Sequence, residues 1–450
     1  MESGVQWSSM TKVHLGFDDT DSPEMGCTTY IAALLVERLE ALGVRFLDYP
    51  NLIRLNPNVP WKTRGNGAIC LRFSCGEHLL EEILWTAVDV VEENSDLKHE
   101  KTEPGIVLFT GDVPRELADF SKRAIRGVVS VEEALSLIGK FGAEAVGFKG
   151  GRGIIGGLAA IGETLTGDHT YELLAYRTPE NRGTPRRVDA ESVVEMDRRT
   201  SPYTFNNVDP ETGRILITPH GPDPVLYGIR GESAEVVKEA HKMVRVGEEI
   251  ERWVIFRTNQ GTDMHLTYVD AISKLRPYHP VIVRGEVAEK PTVIPGGHVF
   301  FQIRDDSGSV QCAAFEPTGV LNRVARSLAP GDLVEVYGGV KPPSNAHPLT
   351  LNLEKMRVLR LAPKEVRVNP RCPKCGRRME SMGAEKGFRC RKCGHRDRNA
   401  KKVVVLVERK LKPGLYITPP RSQRHLTKPL RRYGMEKSGS PNSMIDGWHS

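Results

Sequence analysis

Two hydrophobic periods alternate along the first 180 or so residues. "KVHLGF" (12–17) is an apolar run of strand length. "TTYIAALLVERLEALG" (28–43) repeats its apolar residues at helical spacing and stops at Gly43, a natural C-terminal cap. "RLNPNVPWKTRGNGAICLRF" (54–73) reads as a Pro/Gly-rich loop running into a strand. Helix "GEHLLEEILWTAVDVVEE", loop–strand "KTEPGIVLF", helix "SVEEALSLIGKF", the glycine-rich "GFKGGRGIIGGLAAIG" (147–162) and strand "YELLAYR" follow. Strands interleaved with helices predict an α/β or α+β domain.

The pattern changes twice further on. In "RILITPHGPDPVLYGIRGE", "SAEVVKEAHKMV" and "RWVIFRT", strands flank one helix, which predicts a small ferredoxin-like α+β unit. From 278 to 362, strand patterns broken by Gly, Pro and Asp-Gly-type turns take over: "HPVIVRGEVAEK", "GHVFFQIRDDSGSVQCAAFE", "GDLVEVYGGV" and "LTLNLEKMRVLRL". Ser-Gly-Ser marks a hairpin inside the second stretch. Five strands, with helix "VLNRVARSL" between the third and fourth, match an OB barrel; a small β-barrel with no nucleic-acid role is the alternative. The segment from Ser438 onward, "SGSPNSMIDGWHS", is expected to be disordered.

Composition is that of an ordinary globular protein of 450 residues, with a length that suggests about three domains. No apolar run reaches membrane-spanning length, and no secretory leader opens the chain. Residues 1–9 read as a non-native or frayed extension, with Met10 as an alternative start. Of eight cysteines, Cys27, Cys70, Cys75 and Cys312 show no disulfide-like spacing, so a reducing, cytoplasmic setting is expected. Charge is uneven. Residues 364–432 hold 22 Lys and Arg against 5 Asp and Glu, in a chain whose total is only +6. A basic tail on an acidic body implies a polyanionic partner, nucleic acid above all.

The most specific motif is Cys372-x-x-Cys375 followed by Cys390-x-x-Cys393. Four thiolates in two knuckles close a tetrahedral shell around a structural zinc and leave no open position. Arg377 and Arg378 are among the cations on those knuckles, and Phe388, Arg424 and His425 are candidates for stacking on bases.

In "GFDDTDSPEMGCTTY" (16–30), Asp18, Asp19 and Asp21 crowd like charges at the end of a strand, an arrangement that calls for a cation. Magnesium, which takes one or two carboxylates and fills its shell with water and phosphate, suits it. The next helix offers open amides to phosphate, with the Thr28 and Thr29 hydroxyls in its first turn. A plain capped turn is the alternative. No GxxxxGK[ST] loop occurs in the chain.

In "GFKGGRGIIGGLAAIG", glycines including Gly150, Gly151, Gly153 and Gly156 are interleaved with Lys149 and Arg152, as a phosphate cradle would be; close helix packing is the alternative. Lys62 and Arg64 in "WKTRGNGA" are candidates for RNA backbone. In "RTNQGTDMH" (257–265), Asp263 is a candidate receptor for a cationic group and His265 for proton transfer, against a plain satisfied loop.

With these residues in view, the chain resembles the archaeal tRNA(Ile) agmatidine synthetases from about Val13 to Leu430. The likeness is carried by "FDDTDSPEMGCTTY", "RLNPNVPWKTRGNGA", "KGGRGIIGGLAAIG", "VLYGIRGES", "TNQGTDMH", "GGHVFFQIRDDSGSVQCAAFEP", "CPKCGRRMES" and "RHLTKPL". The resemblance implies a multidomain α+β protein: a kinase-like α/β catalytic domain that binds ATP (10–197), a ferredoxin-like domain (198–275), an OB-fold domain (276–363), and a zinc ribbon with a basic tRNA-binding tail (364–433). Residues 434–450 would be disordered.

It further implies ATP-dependent joining of agmatine to C2 of the wobble cytidine of a CAU-anticodon isoleucine tRNA. O2 is activated by phosphorylation and then displaced by the amine, so that the tRNA reads AUA. Asp18, Asp19 and Asp21 fall on the family's metal and phosphate site, Thr28 on its autophosphorylated threonine, and Thr29 and 149–157 on nucleotide positions. Lys62, Arg64, Arg377, Arg378, Arg424, His425 and Lys428 are the expected tRNA contacts. Asp263 and His265 are the expected agmatine contacts, with ATP, Mg2+ and structural Zn2+ as cofactors. Two other readings stay open on the residues alone: an OB-fold and zinc-ribbon binding factor with no enzymatic activity, and a small-molecule kinase.

Overall fold

Side chains on the first strands point alternately into two cores, and this decides the layering. The computed structural model describes residues 10–62, 65–441 and 443–450, so the expectations placed on residues 1–9 and on Arg64 lie outside the described residues. The chain runs β1 (Met10–Asp18), α1 (Thr28–Ala41), β2 (Arg45–Phe46), β3 (Asn51–Arg54), β4 (Gly67–Gly76), α2 (Leu80–Asn94), β5 (Gly105–Thr110), α3 (Arg115–Arg126), α4 (Val131–Phe141), β6 (Glu144–Gly147) and α5 (Gly153–Gly162). On β4, Ile69, Leu71 and Phe73 enter a core shared with α1 and α2, while Ala68 and Cys70 enter one shared with α3, α4 and α5. On β5, Ile106 and Leu108 face the first core and Val107 and Phe109 the second. Helices therefore cover both faces of one sheet.

That sheet continues through β7 (Thr170–Arg177), α6 (Ala190–Thr200), β8 (Thr204–Phe205), β9 (Val225–Gly231), α7 (Ala234–Met243) and β10 (Ile250–Thr258). Its order is β6-β5-β1-β4-β3-β10-β7-β9-β8, with β2 on β4. The named pairs are antiparallel except β3 with β10. The first domain is thus α+β and not assembled from parallel α/β units. Periodicity reports which face a residue takes but not the direction of its strand. A boundary at 197/198 cuts a packed unit: β7 pairs with both β9 and β10, and α6 lies beside α7.

Beyond β11 (Thr267–Tyr268), five strands close a barrel: β12 (Pro280–Val287), β14 (Val299–Asp305), β15 (Gly308–Ala314), β16 (Leu333–Lys341) and β17 (Thr350–Arg360), with β13 (Thr292–Val293) on β14. The ring runs β12-β16-β17-β15-β14 and back to β12, with one parallel pair between β15 and β17. Helix α8 (Val320–Arg326) lies between the third and fourth barrel strands, as an OB fold requires. β18 (Lys364–Val368) and β22 (Val403–Val407) form a two-stranded ribbon carrying the small sheet of β19 (Glu380–Ser381), β20 (Phe388–Arg389) and β21 (Arg396–Asp397); β23 (Gly414–Ile417) returns to the barrel on β17.

The C-terminal stretch is not the disordered tail expected. Trp448 is buried between Phe46 and Tyr49, with ring centroids 5.6 and 6.0 Å away. Ser450 exchanges both main-chain hydrogen bonds with Trp253, at 3.0 and 3.1 Å. Because β3 pairs with β10 only at Arg257 and Thr258, the rest of that edge of β10 is open, and the chain end pairs along it.

Candidate active site

Strand β1 ends at Asp18, opposite Gly105 of β5, and the chain turns there into α1. The turn is closed by Ser22, whose Oγ accepts from the amides of Glu24 at 3.0 Å and Met25 at 3.1 Å. Gly26 takes φ +82, and a Cβ there would lie 2.6 Å from the Thr20 carbonyl oxygen, so only glycine fits. Cys27 caps α1 without a side-chain hydrogen bond, and its Sγ lies 3.1 Å from Thr29 Oγ1. The amides of Thr28 and Thr29 make no main-chain hydrogen bond among the described residues. They stand open at the positive end of the helix, a ready anion site. Thr28 Oγ1 is 2.9 Å from Thr20 Oγ1, which fixes the hydroxyl beside that end.

Burial and mutual repulsion act together on these carboxylates. Burial, then the neighbouring Asp19 carboxylate, raise Asp18 to about 8. Asp19 is also raised, by burial, although Arg152 Nη2 donates to its Oδ2 at 2.6 Å. Asp19 holds a left-handed backbone at φ 61, which turns its side chain back toward that arginine.

Asp18, Asp19, Asp21, Thr28, Thr29 and Arg152 line one end of a cavity of about 710 Å3, a volume suited to a nucleotide-sized ligand. Gly156, Lys62 and His425 also line it. Its other walls come from the ferredoxin-like unit, through Glu172, Phe205, Asn206, Asp223 and Arg230, and from residues 420–425 of the tail. Glu172 accepts from Arg230 Nε at 2.9 Å and from Gln260 Nε2. Sequence reasoning did not name these residues, nor Arg54. A signal was there for Arg230, the lone charge in the apolar strand Val225–Gly231, and more weakly for Glu172, set among apolar and aromatic residues of β7.

The second glycine-rich stretch is built differently. A Cβ on Gly156 would sit 1.9 Å from Asp18 Oδ2, one on Gly16 2.1 Å from the Gly157 carbonyl oxygen, and one on Gly105 2.0 Å from the Ile154 nitrogen. These glycines let α5 lie directly against β1 and β5. The amides at its start are already used: Gly153 donates to Glu103 O at 2.9 Å, Ile154 to Gly151 O at 3.0 Å and Ile155 to Arg152 O at 3.0 Å. Lys149 donates to the His99 carbonyl at 2.7 Å. Lys149, Gly150, Gly151 and Gly153 do not line the cavity, whereas Arg152 and Gly156 do. For most of this stretch, close packing is what the glycines provide.

Asp263 and His265 lie outside the cavity as well. Asp263 accepts from Lys355 Nζ and, at 2.7 Å, from the Lys428 amide. His265, fully buried, stands 3.1 Å from Glu354 Oε2. Burial alone would raise Glu354; His265, then Arg424, and a hydroxyl donated by Thr427 bring it down to about 2 instead. This seam fastens the barrel to the catalytic body and occupies the two residues expected to meet agmatine. A polar loop looks the same in sequence whether it faces a ligand or another domain.

Lys428 is likewise buried and ion-paired with Glu436 and, at 3.6 Å, with Asp168, so it is not offered to RNA. Phe388 is buried in the ribbon's own core. Arg377 and Arg378 are exposed on the ribbon. The Sγ atoms of Cys372, Cys375, Cys390 and Cys393 all lie within 4.8 Å of one another, with Cys372–Cys393 at 3.5 Å and Cys375–Cys390 at 3.4 Å. Four sulfurs at such spacing fit one tetrahedral zinc. Among the described residues, no helix is long and apolar enough to cross a membrane.

An acid-edged, phosphate-sized cavity coupled to an OB barrel and a four-cysteine ribbon defines a nucleotide-using enzyme directed at nucleic acid. Comparisons with known proteins specify it. Family models match here as TiaS TCKD domain (14–80), TiaS FLD domain (151–265), OB-fold nucleic acid binding domain (281–359) and TiaS C-terminal zinc ribbon domain (369–411). The chain is 45% identical to the tRNA(Ile) 2-agmatinylcytidine synthetase TiaS of Archaeoglobus fulgidus, over 94% of this chain and 98% of that one. It is 47% identical to the Pyrococcus horikoshii protein of the same name, over 93% and 96%. Among solved structures it matches a complex of TiaS with isoleucine tRNA and ATP (TM-score 0.84, 44% identity) and one with isoleucine tRNA, AMPCPP and agmatine (TM-score 0.83, 42% identity), each over 94% of this chain and 97% of that one. The chain belongs to the tRNA(Ile) 2-agmatinylcytidine synthetase family.

Proposed function

We propose that this chain uses ATP to join agmatine to C2 of the wobble cytidine of the CAU-anticodon isoleucine tRNA, with the β1–α1 edge as the phosphate site. The observation that carries the reading is one cavity in which Asp18, Asp19, Asp21, Arg152 and the open amides of α1 share a wall with Lys62 and His425. A bound Mg2+ would be held by one or two of the carboxylates Asp18, Asp19 and Asp21 and would supply charge neutralisation for the phosphates. Asp18, protonated near neutral pH without a cation, would give up its proton on loading. Arg152 and the α1 amides then steady the negative charge that moves onto the transferring phosphoryl group.

Thr28, fixed by Thr20, is the hydroxyl placed to accept a phosphoryl group. Cytidine O2 takes phosphate and becomes a leaving group. The neutral amine nitrogen of agmatine bonds to C2, the C2–O2 bond breaks, phosphate departs with O2, and the amine loses its proton. With Asp263 engaged in the domain seam, the carboxylates that face the far end of the cavity are Glu172 and Asp223. Both Glu172 oxygens are engaged, one by Arg230 and the other by Gln260. We assign agmatine's guanidinium to Asp223, which lines the same cavity and whose Oδ1 already accepts from the Val225 amide at 3.1 Å and meets the Arg186 guanidinium at 3.4 Å. Asp223→Asn should raise KM for agmatine and leave that for ATP alone; an unchanged agmatine KM removes the assignment. Cys27, Cys70, Cys75 and Cys312 form no disulfide and the other four cysteines gather as a metal site, which supports placing the enzyme in the cytoplasm.

The deciding experiment incubates the protein with Mg2+, labelled ATP, labelled agmatine and CAU-anticodon tRNA. Label from agmatine should enter the tRNA only when ATP is present. ATP turnover without RNA dependence would point to a small-molecule kinase. Tight tRNA binding without turnover would point to a binding factor.

A further inference from the structure

We infer that a second cavity, of about 440 Å3, seats a phosphodiester group of the RNA strand with Arg54 as its ligand, an assignment that rests on the tRNA-directed reading above. The cavity lies between the end of β3, the turn at Gly65 and the segment 424–426, and it shares Arg54, Lys62, Gly65 and His425 with the larger cavity. Arg54, Lys62, Arg424 and His425 supply its side-chain polar groups, and no carboxylate among the described residues lines it. The larger cavity, in contrast, is edged by five carboxylates.

Arg54 is half-buried and differs from the fully buried arginines. Arg177 is closed by Glu248 at 2.8 Å, Arg257 by Asp48 at 2.9 Å and Arg432 by Glu232 at 2.5 Å. Arg72 is held by Asn51 at 2.7 Å and by three carbonyl oxygens. The Arg54 guanidinium makes no ion pair or hydrogen bond among the described residues, and its Nε is buried without a partner. Burial pulls it down to about 10. The Glu172 carboxylate attracts Arg54 at longer range, but it accepts its hydrogen bonds from Arg230 and Gln260, so the donors of Arg54 are left for an incoming anion.

The backbone makes room for that anion's ligands. A Cβ on Gly65 would lie 2.6 Å from Arg54 Nη1 and 2.7 Å from the His425 ring, and one on Gly67 2.8 Å from the same Nη1. His425 stays neutral there, held well below its ordinary value by burial and by Arg54, Arg230 and Lys62, so it adds no charge of its own.

A phosphodiester suits this cavity better than the triphosphate of ATP. None of Asp18, Asp19, Asp21, Thr28 or Arg152 reaches it, so the groups that would hold a metal–nucleotide are absent. Its far wall comes from the basic tail. A nucleotide whose base enters the larger cavity carries phosphates on its flanks, and the shared residues bring one of them to Arg54. Phosphate contacts of this kind fix the register of a strand without reading its sequence.

The test uses full-length Arg54→Met and Arg54→Lys. For Arg54→Met, affinity for CAU-anticodon tRNA should fall about tenfold, and the slope of log affinity against log salt should flatten by about one. KM for ATP should stay within about twofold, and the apo protein should melt close to the parent, because no hydrogen bond or ion pair of the Arg54 guanidinium is lost among the described residues. Arg54→Lys should keep the slope and recover part of the affinity. Unchanged tRNA affinity and slope would overturn the inference. So would a raised KM for ATP with intact tRNA binding, which would make the triphosphate the occupant. Parallel loss of melting temperature and activity in both variants would show a structural residue only. Failure of the parent protein itself to bind or modify tRNA would sink the broader reading instead.

Discussion

Residues 16–30 and 147–162 carry the same ingredients: glycines, small hydroxyl or apolar residues opening a helix, and charges set among them. By composition both are phosphate sites. In the fold they part company. The first leaves the amides of Thr28 and Thr29 unused and turns its carboxylates into the larger cavity. The second spends its first amides on Glu103, Gly151 and Arg152, and spends its glycines on bringing α5 against β1. Glycine permits close approach of a backbone, and the sequence does not say whether a ligand or a strand is what approaches. The two stretches also depend on each other, since the aspartates that end β1 are positioned by the helix packed beneath them.

The comparison breaks first at Asp18. Asp18→Asn removes the carboxylate that a divalent cation must compete for and leaves tRNA-contacting surfaces untouched. Modification should fall by about a thousandfold or more, about 4 kcal/mol of transition-state stabilisation, with tRNA affinity within about twofold. Single-turnover assays beside a gel-shift titration measure both. A large loss of tRNA affinity would mean that the edge serves RNA and not phosphate chemistry.

The packing role of the second stretch is exposed by Gly156→Ala. The new methyl would fall on Asp18, against Cβ and Cγ at 2.5 Å as well as the carboxylate oxygen, so it cannot be relieved at the tip of the side chain. Overpacking of this kind should cost about 3 kcal/mol in urea unfolding and should cut activity with it. A stable variant with only a raised KM for ATP would return residue 156 to a nucleotide cradle.

Much of this architecture was legible because its determinants are local. The barrel strands alternate, the helix between the third and fourth has its own period, and two Cys-x-x-Cys knuckles fix a metal geometry irrespective of their surroundings. That Asp18, Asp19 and Asp21 gather at one edge also follows from local sequence, since they end a single strand and enter one turn. What escaped reading depends on distant partners. Asp263 meets Lys355 and His265 meets Glu354 across about 90 positions. Trp448 finds Phe46 and Tyr49 some 400 positions away, so a Gly/Ser/Pro-rich end with one tryptophan looked unstructured. Direction within the sheet was hidden too, because alternation is the same for parallel and antiparallel neighbours.

Acid sharpens the comparison at the far end of α5. His14 Nδ1 lies 2.8 Å from Arg72 Nη1, and Arg72 Nη2 donates to the carbonyls of Ala160, Ile161 and Glu163 where α5 ends. Burial, then Arg72, hold His14 down at about 3, with Lys12 adding to the shift and Asp112 and the Gly111 carbonyl opposing it. The unfolded chain therefore binds a proton that the native state refuses between about pH 6.5 and 3. Stability is full above this window and is lost as pH falls through it, by about 2 kcal/mol at pH 5. His241 on α7, brought down to about 4 by burial, adds a similar slope of its own, so the difference between the parent and His14→Gln isolates the β1 contribution. The gap between urea midpoints at pH 7 and pH 5 should narrow in the variant by the His14 share; equal losses in both proteins would detach His14 from the effect.

The smallest expected effect draws the sharpest line between the two stretches. Lys149 is the lysine that a nucleotide loop would aim at phosphate, yet here its Nζ meets the His99 carbonyl, its own backbone is left-handed at φ 54, and it does not line the cavity. Lys149→Ala should then change KM for ATP by less than about threefold and stability by about 0.5 kcal/mol, the scale of a surface substitution. Arg152, three residues on and bonded to Asp19, serves as the internal control: Arg152→Ala should raise KM for ATP well beyond that of the lysine variant. If Lys149→Ala costs as much as Arg152→Ala, the loop closes over nucleotide during turnover. The two glycine-rich stretches would then be partners around one phosphate chain, and not a site and its support.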